Sequence, residues 1–503
     1  MPKKIGKPLH RWKPKQKMLG AKASIHGSST AAITKRQKAF KAIRQSDYSP
    51  EPDSFSFWVL PPEASVRQTP PSTATEAEIV SFSETVAADT DETGPSNGAP
   101  LIGIIGLDFG TSSTKVIIRF PYERDSPAFA IPAPAHCRSE GNAYLWQTVV
   151  WIRPNGDMIA WPEPGAQLLY SLKQGLMNDR AWTTIDTDFD ITVRRVDAVT
   201  GFLNYVIRFA RGWLRRERAQ FFVNRPTTWF LNVGLPVENY DDQSLVNAYR
   251  KSAVAALEAA SRNVSANLQI IQGILDEEKI RICESAEEAL TFGVTVIPET
   301  VAEAAGFMMS NRSAEGIYAM IDVGAMTLDI CAFRFWRPDR SDKSHSLYAA
   351  SVRPLGVEAM YWYLDQGKTL EGFAEQCDRS LWGLLWHTKN DRAPNAECWE
   401  PSNYLPVFLV GGGAGNKVHR DRVAALHDWL RKHVQNQGIR FVELPLPPGT
   451  DLSASDFSRL AVAWGLSYEP NEIGKFKLPS QIRDLPPPDQ ADFSGNYIGK
   501  ENV

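Results

Sequence analysis

Two short segments 214 residues apart share one pattern, and that pairing restricts the fold more than any other feature of the chain. Leu101 to Leu107 is an apolar run ending in Asp108-Phe-Gly-Thr-Ser-Ser113, and Lys115 to Phe120 is a second apolar run. Ile317 to Ile321 leads likewise into Asp322-Val-Gly-Ala-Met-Thr-Leu-Asp329, with Ile330 to Phe335 following. Each reads as strand, tight turn, strand. Placing Asp108 on Asp322 sets Gly110 on Gly324, so the chain is expected to be a duplication whose halves each open on an Asp-x-Gly hairpin. Residues 199–215 and 242–261 carry apolar positions at helical spacing. The body is therefore expected to be α/β, with helices packed on sheets.

The turns suggest a chemistry. Gly, Thr and Ser beside a strand expose backbone N–H groups, and small side chains let a polyanion come close. Thr111, Ser112, Ser113 and Thr114 add hydroxyl donors, and Lys115 adds a positive charge. The GxxxxGK[ST] phosphate loop is absent, and this turn leads into a strand instead of a helix. Two aspartates beside phosphates repel them unless a cation lies between. Mg²⁺ keeps several waters and bridges one or two carboxylates to phosphate oxygens, a role suited to Asp108 and Asp322. Tyr404 to Val410 is a further strand running into Gly411-Gly-Gly-Ala-Gly415, with a helix expected through Val423 and Leu430. There a glycine turn lets backbone lie against a flat ligand or a phosphate. Ile297-Pro-Glu-Thr-Val-Ala-Glu-Ala-Ala-Gly306 starts a helix with Glu299 in its first turn, and Ala302, Ala305 and Gly306 offer a small face for close packing.

Outside this body the chain changes character. Thirteen Lys and Arg and no acid precede Asp47, so the remainder carries about −16 against a total of −3. Residues 49–100 are rich in Pro, Ser, Thr, Glu and Asp, and residues 1–100 are expected to be a disordered tail. Its one aromatic island is Phe55-Ser-Phe-Trp-Val-Leu60. The basic arm, with Trp12 among its lysines, lacks a recognisable reading module, which argues against nucleic acid. Residues 471–503 are expected to form a second tail. No apolar run approaches the roughly 20 residues needed to cross a bilayer. Five scattered cysteines without a CxxC pair argue against a disulfide framework or a structural zinc site, and fit a reducing, cytoplasmic setting.

Taken together, the motifs resemble the ATPase superfamily of actin, heat-shock 70-kDa chaperones and sugar kinases. GLDFGTSSTK resembles its first phosphate motif, IDVGAMTLDI the second, VFLVGGGAG the adenosine motif and PETVAEAAG the connecting helix. The chaperone branch is the most similar. Residues 145–160, 171–177, 232–237, 353–358 and 459–466 resemble its strand pair, its catalytic-lysine segment, the strand before its cross-over helix, its second-hairpin turn and its closing helix.

This resemblance implies two lobes around a nucleotide cleft: 101–306 with the connecting helix, and 307–470 with a reduced upper subdomain. It implies ATP and Mg²⁺ as ligands. Gly110, Thr111, Ser112, Lys115, Gly324 and Ala325 would meet phosphates, and Gly411, Gly412 and Gly413 the nucleoside. Asp108 and Asp322 would hold hydrated Mg²⁺, Lys173 and Glu299 would place the attacking water, and Thr327 would lie near the γ-phosphate.

The departures shape the expected function. Ala325 and Met326 replace glycines, so Met326 is expected to obstruct the phosphate site. The family's adenine-stacking arginine falls on Gly415, with Arg379 a speculative substitute. Only about 37 residues follow Leu466, too few for a peptide-binding sandwich and lid. The expectation is a slowly hydrolysing conformational switch acting through a partner protein, with the disordered arm or Trp382, Trp386 and Trp399 as contacts. A sugar-type kinase and an actin-like filament or scaffold protein stay open.

Overall fold

The computed structural model describes Trp58 and residues 73–90, 98–176, 180–310, 312–338, 343–447 and 450–485. The basic arm, most of the Phe55–Leu60 island and Met177 lie outside the described residues. The fold is mixed α/β and contains two six-stranded sheets. No helix among the described residues is long and apolar enough to cross a membrane.

The first sheet contains β1 (Leu101–Phe109), β2 (Ser113–Arg119), β3 (Ala128–Ala130), β4 (Thr227–Leu235) and β5 (Val294–Pro298). They run in the order β5-β4-β1-β2-β3, with Trp146–Gln147 paired on β2. The second contains β6 (Gly316–Val323), β7 (Leu328–Trp336), β8 (Ser344–Arg353), β9 (Leu405–Val410), β10 (Ile439–Phe441) and β11 (Lys475–Lys477), in the order β10-β9-β6-β7-β8-β11. Their first five strands share one pattern. The leading strand pairs antiparallel with the second, and the second antiparallel with the third. The fourth lies parallel to the first, and the fifth parallel to the fourth. Register agrees too: Asp108 faces Lys115 across its hairpin, and Asp322 faces Asp329.

β1 is buried on both faces, as its near-continuous apolar run requires. The helices that matter for the site are α1 (Glu76–Ala87), α2 (Arg195–Glu217), α3 (Gln243–Ser261), α4 (Glu299–Met308), α5 (Val357–Asp365), α6 (Leu370–His387), α7 (Lys417–His433) and α8 (Ala454–Leu466). Helix α4 starts directly after Pro298, as the Pro-Glu pair predicts. Its small face packs on α8, with Ala302 against Gly465. Trp399 is buried, whereas Trp382 and Trp386 are half-buried and pack on Trp429 where α6 meets α7.

Two tail boundaries need correction. Residues 76–87, read as disordered, form α1, which is opened by a Thr75–Glu78 capping box. It docks on α2. Phe82 stacks on Phe209 and meets Trp161 and Tyr205 edge-on, and the buried Asp89 takes Arg211 at 2.7 Å. The segment is polar overall, but one aromatic and one acid carry its attachment, and a composition average hides both. At the other end, β11 adds to β8 in parallel, so the second sheet runs past the expected boundary at 470.

The docking has a tight point. A Cβ on Gly212 would stand 1.9 Å from the Thr85 carbonyl oxygen. Gly212→Ala is therefore expected to lift α1 while leaving the body folded. The readout is hydrogen exchange, with amides 76–87 exchanging at least tenfold faster and β1 unchanged. Unchanged protection in α1 would show that the contact yields.

Candidate functional site

Both hairpins end at one cleft with a cavity volume of about 330 Å³. The fourteen residues given a site role by the resemblance line it: Asp108, Gly110, Thr111, Ser112, Lys115, Lys173, Glu299, Asp322, Gly324, Ala325, Thr327, Gly411, Gly412 and Gly413. They come from five stretches that the sequence keeps far apart. Thr114, expected to add a hydroxyl donor, is instead fully buried and bonded to Thr148 at 3.0 Å. The volume is that of a small-molecule pocket.

At the first hairpin, Lys115 does not stand free. Its Nζ donates to Asp108 Oδ2 at 2.9 Å, directly across the strand pair. At the second, Gly324 N donates to the Thr327 carbonyl at 2.9 Å. The start of α5 grips the same turn from behind: Val357 N and Glu358 N donate to the carbonyls of Gly324 and Ala325, at 3.1 and 2.7 Å. Within the described residues no hydrogen bond engages the backbone amides of Thr111, Ser112, Ala325 or Met326. Unpaired amides at a polar cleft are the donors that an anion needs.

The glycine turn after β9 has a second use that its sequence does not reveal. Gly411 has φ 87°, and a Cβ there would stand 1.9 Å from Asp322 Oδ1 and 2.6 Å from the Val323 carbonyl oxygen. Gly413 N donates to that carbonyl at 2.7 Å. The turn thus folds over the end of β6, and glycine leaves room for the aspartate carboxylate to reach the cleft.

Charge in the cleft is one-sided. Lys173, on the short helix Leu172–Leu176, donates to Glu299 Oε1 at 2.8 Å, and the two side chains are only 9% and 12% exposed. Burial is the largest single influence on the lysine and lowers its pKa, but the charges of Glu299, Tyr249 and Asp108 and the hydrogen bond to Glu299 together raise it above its ordinary value. Burial pushes the Glu299 carboxyl up against the pull of Lys173. One helical turn further, Glu303 is 3% exposed and makes no hydrogen bond among the described residues. Burial, and then the negative charges of Asp322 and Asp108, raise it well above the carboxylate range. Asp329 is raised by burial and Asp322, and Asp322 itself is pushed up to about 6 by burial and Glu299.

Sequence reasoning missed Glu303, Asp329, Glu140, Glu358 and Arg459, all of which line the cleft. Two signals for them existed. Glu303 is four residues after Glu299, on the same helix face. Asp329 holds the hairpin register position that Lys115 holds in the first half.

Two expectations are corrected. Met326 borders the cavity but is only 1% exposed. A side chain standing in an open cleft would be solvated, so Met326 does not obstruct it. Arg379 lies outside the cleft lining and pairs with Glu375 on α6 at 2.6 Å, so it is no substitute at Gly415.

The donor set fits a hydrated divalent cation. Among the described residues no three His, Cys, Asp or Glu side chains are grouped as direct metal ligands. A Mg²⁺ held through its own waters needs only one or two carboxylates, and the excess of buried acid favours a cation here. In comparisons with known proteins, no family model matches the chain and no curated protein matches it.

Proposed function

We propose that this chain is an actin-like, heat-shock-70-kDa-like nucleotide clamp: a duplicated two-lobe fold that binds ATP with Mg²⁺, hydrolyses it slowly and signals its nucleotide state to a partner protein. The observation that carries this reading is the convergence of five sequence-distant stretches on one cleft, between two sheets of matching strand order.

In this reading the free amides of the two turns, with Thr111 and Ser112, take the phosphate oxygens. Asp108 and Asp322 would hold the waters of a Mg²⁺, which would neutralise phosphate charge. Lys115 exchanges part of its bond to Asp108 for a phosphate contact. Glu299, oriented by Lys173, accepts a hydrogen bond from the attacking water, and Thr327 lies near the γ-phosphate. Closure of the lobes on nucleotide alters a surface that a partner reads.

The test is a single turnover of labelled ATP, substoichiometric to protein, with Mg²⁺. Retained nucleotide with phosphate released more slowly than about one per minute is the expected result. Retention without any release would reduce the protein to a nucleotide sensor. No retention, with or without Mg²⁺, would remove the reading.

A further inference from the structure

Helix α1 lines no part of the cleft and belongs to neither six-stranded sheet. Of residues 73–90 only Phe82, Thr85 and Asp89 are buried, and spacings of three and four put them on one stripe. The stripe lies in a groove with two different ends. At one, Phe82 stacks on Phe209 and meets Trp161 and His136 edge-on, with centroids 5.3, 5.5 and 6.0 Å apart. At the other, α2 supplies arginines. Arg211 Nε donates to Asp89 Oδ1 at 2.7 Å, and Arg216 Nη1 donates to the Thr85 hydroxyl at 2.6 Å.

The aromatic end is filled, but the acid end is not. Asp89 is fully buried, yet its Oδ2 has no hydrogen-bond partner among the described residues. Arg208 Nε, 4.0 Å from that oxygen, and Arg211 Nη1 are buried and unpaired as well. Burial raises the Asp89 carboxyl above its ordinary range in spite of the arginines around it. Unmade hydrogen bonds in a desolvated groove weaken the docking. A 12-residue helix is also marginal by itself in water, so α1 folds where it docks and is lost when it leaves.

The groove therefore offers N–H groups that a single aspartate leaves unused. A second copy's α1 would fit no better than the one already in place. An occupant that displaces it must answer the arginines more fully. We propose that α1 is a releasable strap over a docking groove, and that the groove's partner is an acidic amphipathic helix of another protein, with an aromatic residue and an acid seven positions further on. Helix α1 is the copy of that ligand in cis. The recognition is of the helix-in-groove kind, with the arginines setting the charge of what enters. It goes beyond the nucleotide reading and does not rest on it.

Fluorescence anisotropy of the full chain with a labelled peptide of residues 73–90 tests it. Phe82→Ala combined with Asp89→Ala removes the strap's anchors and leaves the groove intact. In that variant amides 76–87 are expected to exchange at least about tenfold faster, with β1 unchanged. It is expected to bind the peptide at least about tenfold more tightly than wild type, whose tethered strap competes at high effective concentration. An Asp89→Glu peptide is expected to bind about threefold more tightly still, and a Phe82→Ala peptide at least about tenfold more weakly. Adding Gly212→Ala to the protein is expected to abolish binding, since a Cβ there would stand 1.9 Å from the Thr85 carbonyl oxygen. If the double variant does not fold, Phe82→Ala alone opens the strap.

No binding to the opened chain would overturn the inference. Equal binding by wild type, or binding that survives Gly212→Ala, would place the peptide elsewhere and overturn it too. An Asp89→Glu peptide weaker than its parent would sink the preference for a fuller acid. A wild-type dimer that the peptide dissociates would make a second copy the occupant and remove the partner.

Discussion

Lys173→Met is expected to destabilise the protein by about 3–5 kcal/mol, the largest effect of any single substitution in the cleft. The reason is asymmetry. Lys173 and Glu299 lie 2.8 Å apart with both side chains nearly buried, and each was desolvated to get there. Removing the cation leaves Glu299 beside Asp108, Glu303 and Asp322 with nothing nearby to answer its charge except Lys115. The carboxyl then stays buried and charged at high cost, or takes up a proton. Lys173→Met combined with Glu299→Met removes both charges, and it is expected to recover most of the loss. Urea unfolding at pH 7.5 reads both variants. A single variant within about 1 kcal/mol of wild type would show that water reaches the pair and that burial is not its controlling feature.

Asp322→Asn is expected to move stability and binding in opposite directions. In the ligand-free protein the Asp322 carboxyl sits at about 6, above its ordinary value near 4, chiefly because it is buried and then because Glu299 is close. Between those two values the folded state holds the proton more tightly than the unfolded state does. Its contribution therefore lowers the stability of the ligand-free protein as pH rises from about 4 through 6. Asparagine keeps the shape and abolishes the titration, so the unliganded variant should melt higher than wild type at pH 7.5, with a flatter pH profile. If Asp322 holds the waters of Mg²⁺, the same change should weaken Mg-ATP at least tenfold. A variant that melts lower would overturn the electrostatic account of the site. A variant that melts higher and binds Mg-ATP as well as wild type would remove Asp322 from the metal site and leave the account of its burial standing.

Much of the body was legible before any coordinates. The strands on either side of Asp108 and Asp322 are apolar runs broken by Gly-containing turns, so composition and order alone locate them. Helices α2 and α3 fall within a few residues of the segments whose apolar spacing announced them. The hairpin and glycine-turn residues were legible because small residues and lone charges at strand ends are out of place in a core, whereas Lys173 came only from the resemblance.

Other features depend on what meets what. Helix α1 hides in a polar stretch because its attachment rests on Phe82 and Asp89, which mean nothing until Phe209 and Arg211 are placed beside them. Met326 reads as an obstruction in a linear motif, and only its burial shows which way it turned. Lys115 looks like a free phosphate ligand until strand register sets it against Asp108. Arg459 opens the segment that resembles the family's closing helix, but only chain folding delivers it to Gly412 and Glu140.

The sequence by itself determined the α/β class, the twin hairpins and the glycine turn that border the cleft, because turn chemistry and apolar period act over a few neighbouring positions. Tertiary structure alone decided which charges are paired, which carboxyls are raised and which arginine enters the cleft. Those depend on burial and on distances that folding sets, as where it brings Lys173 to Glu299 across 126 positions.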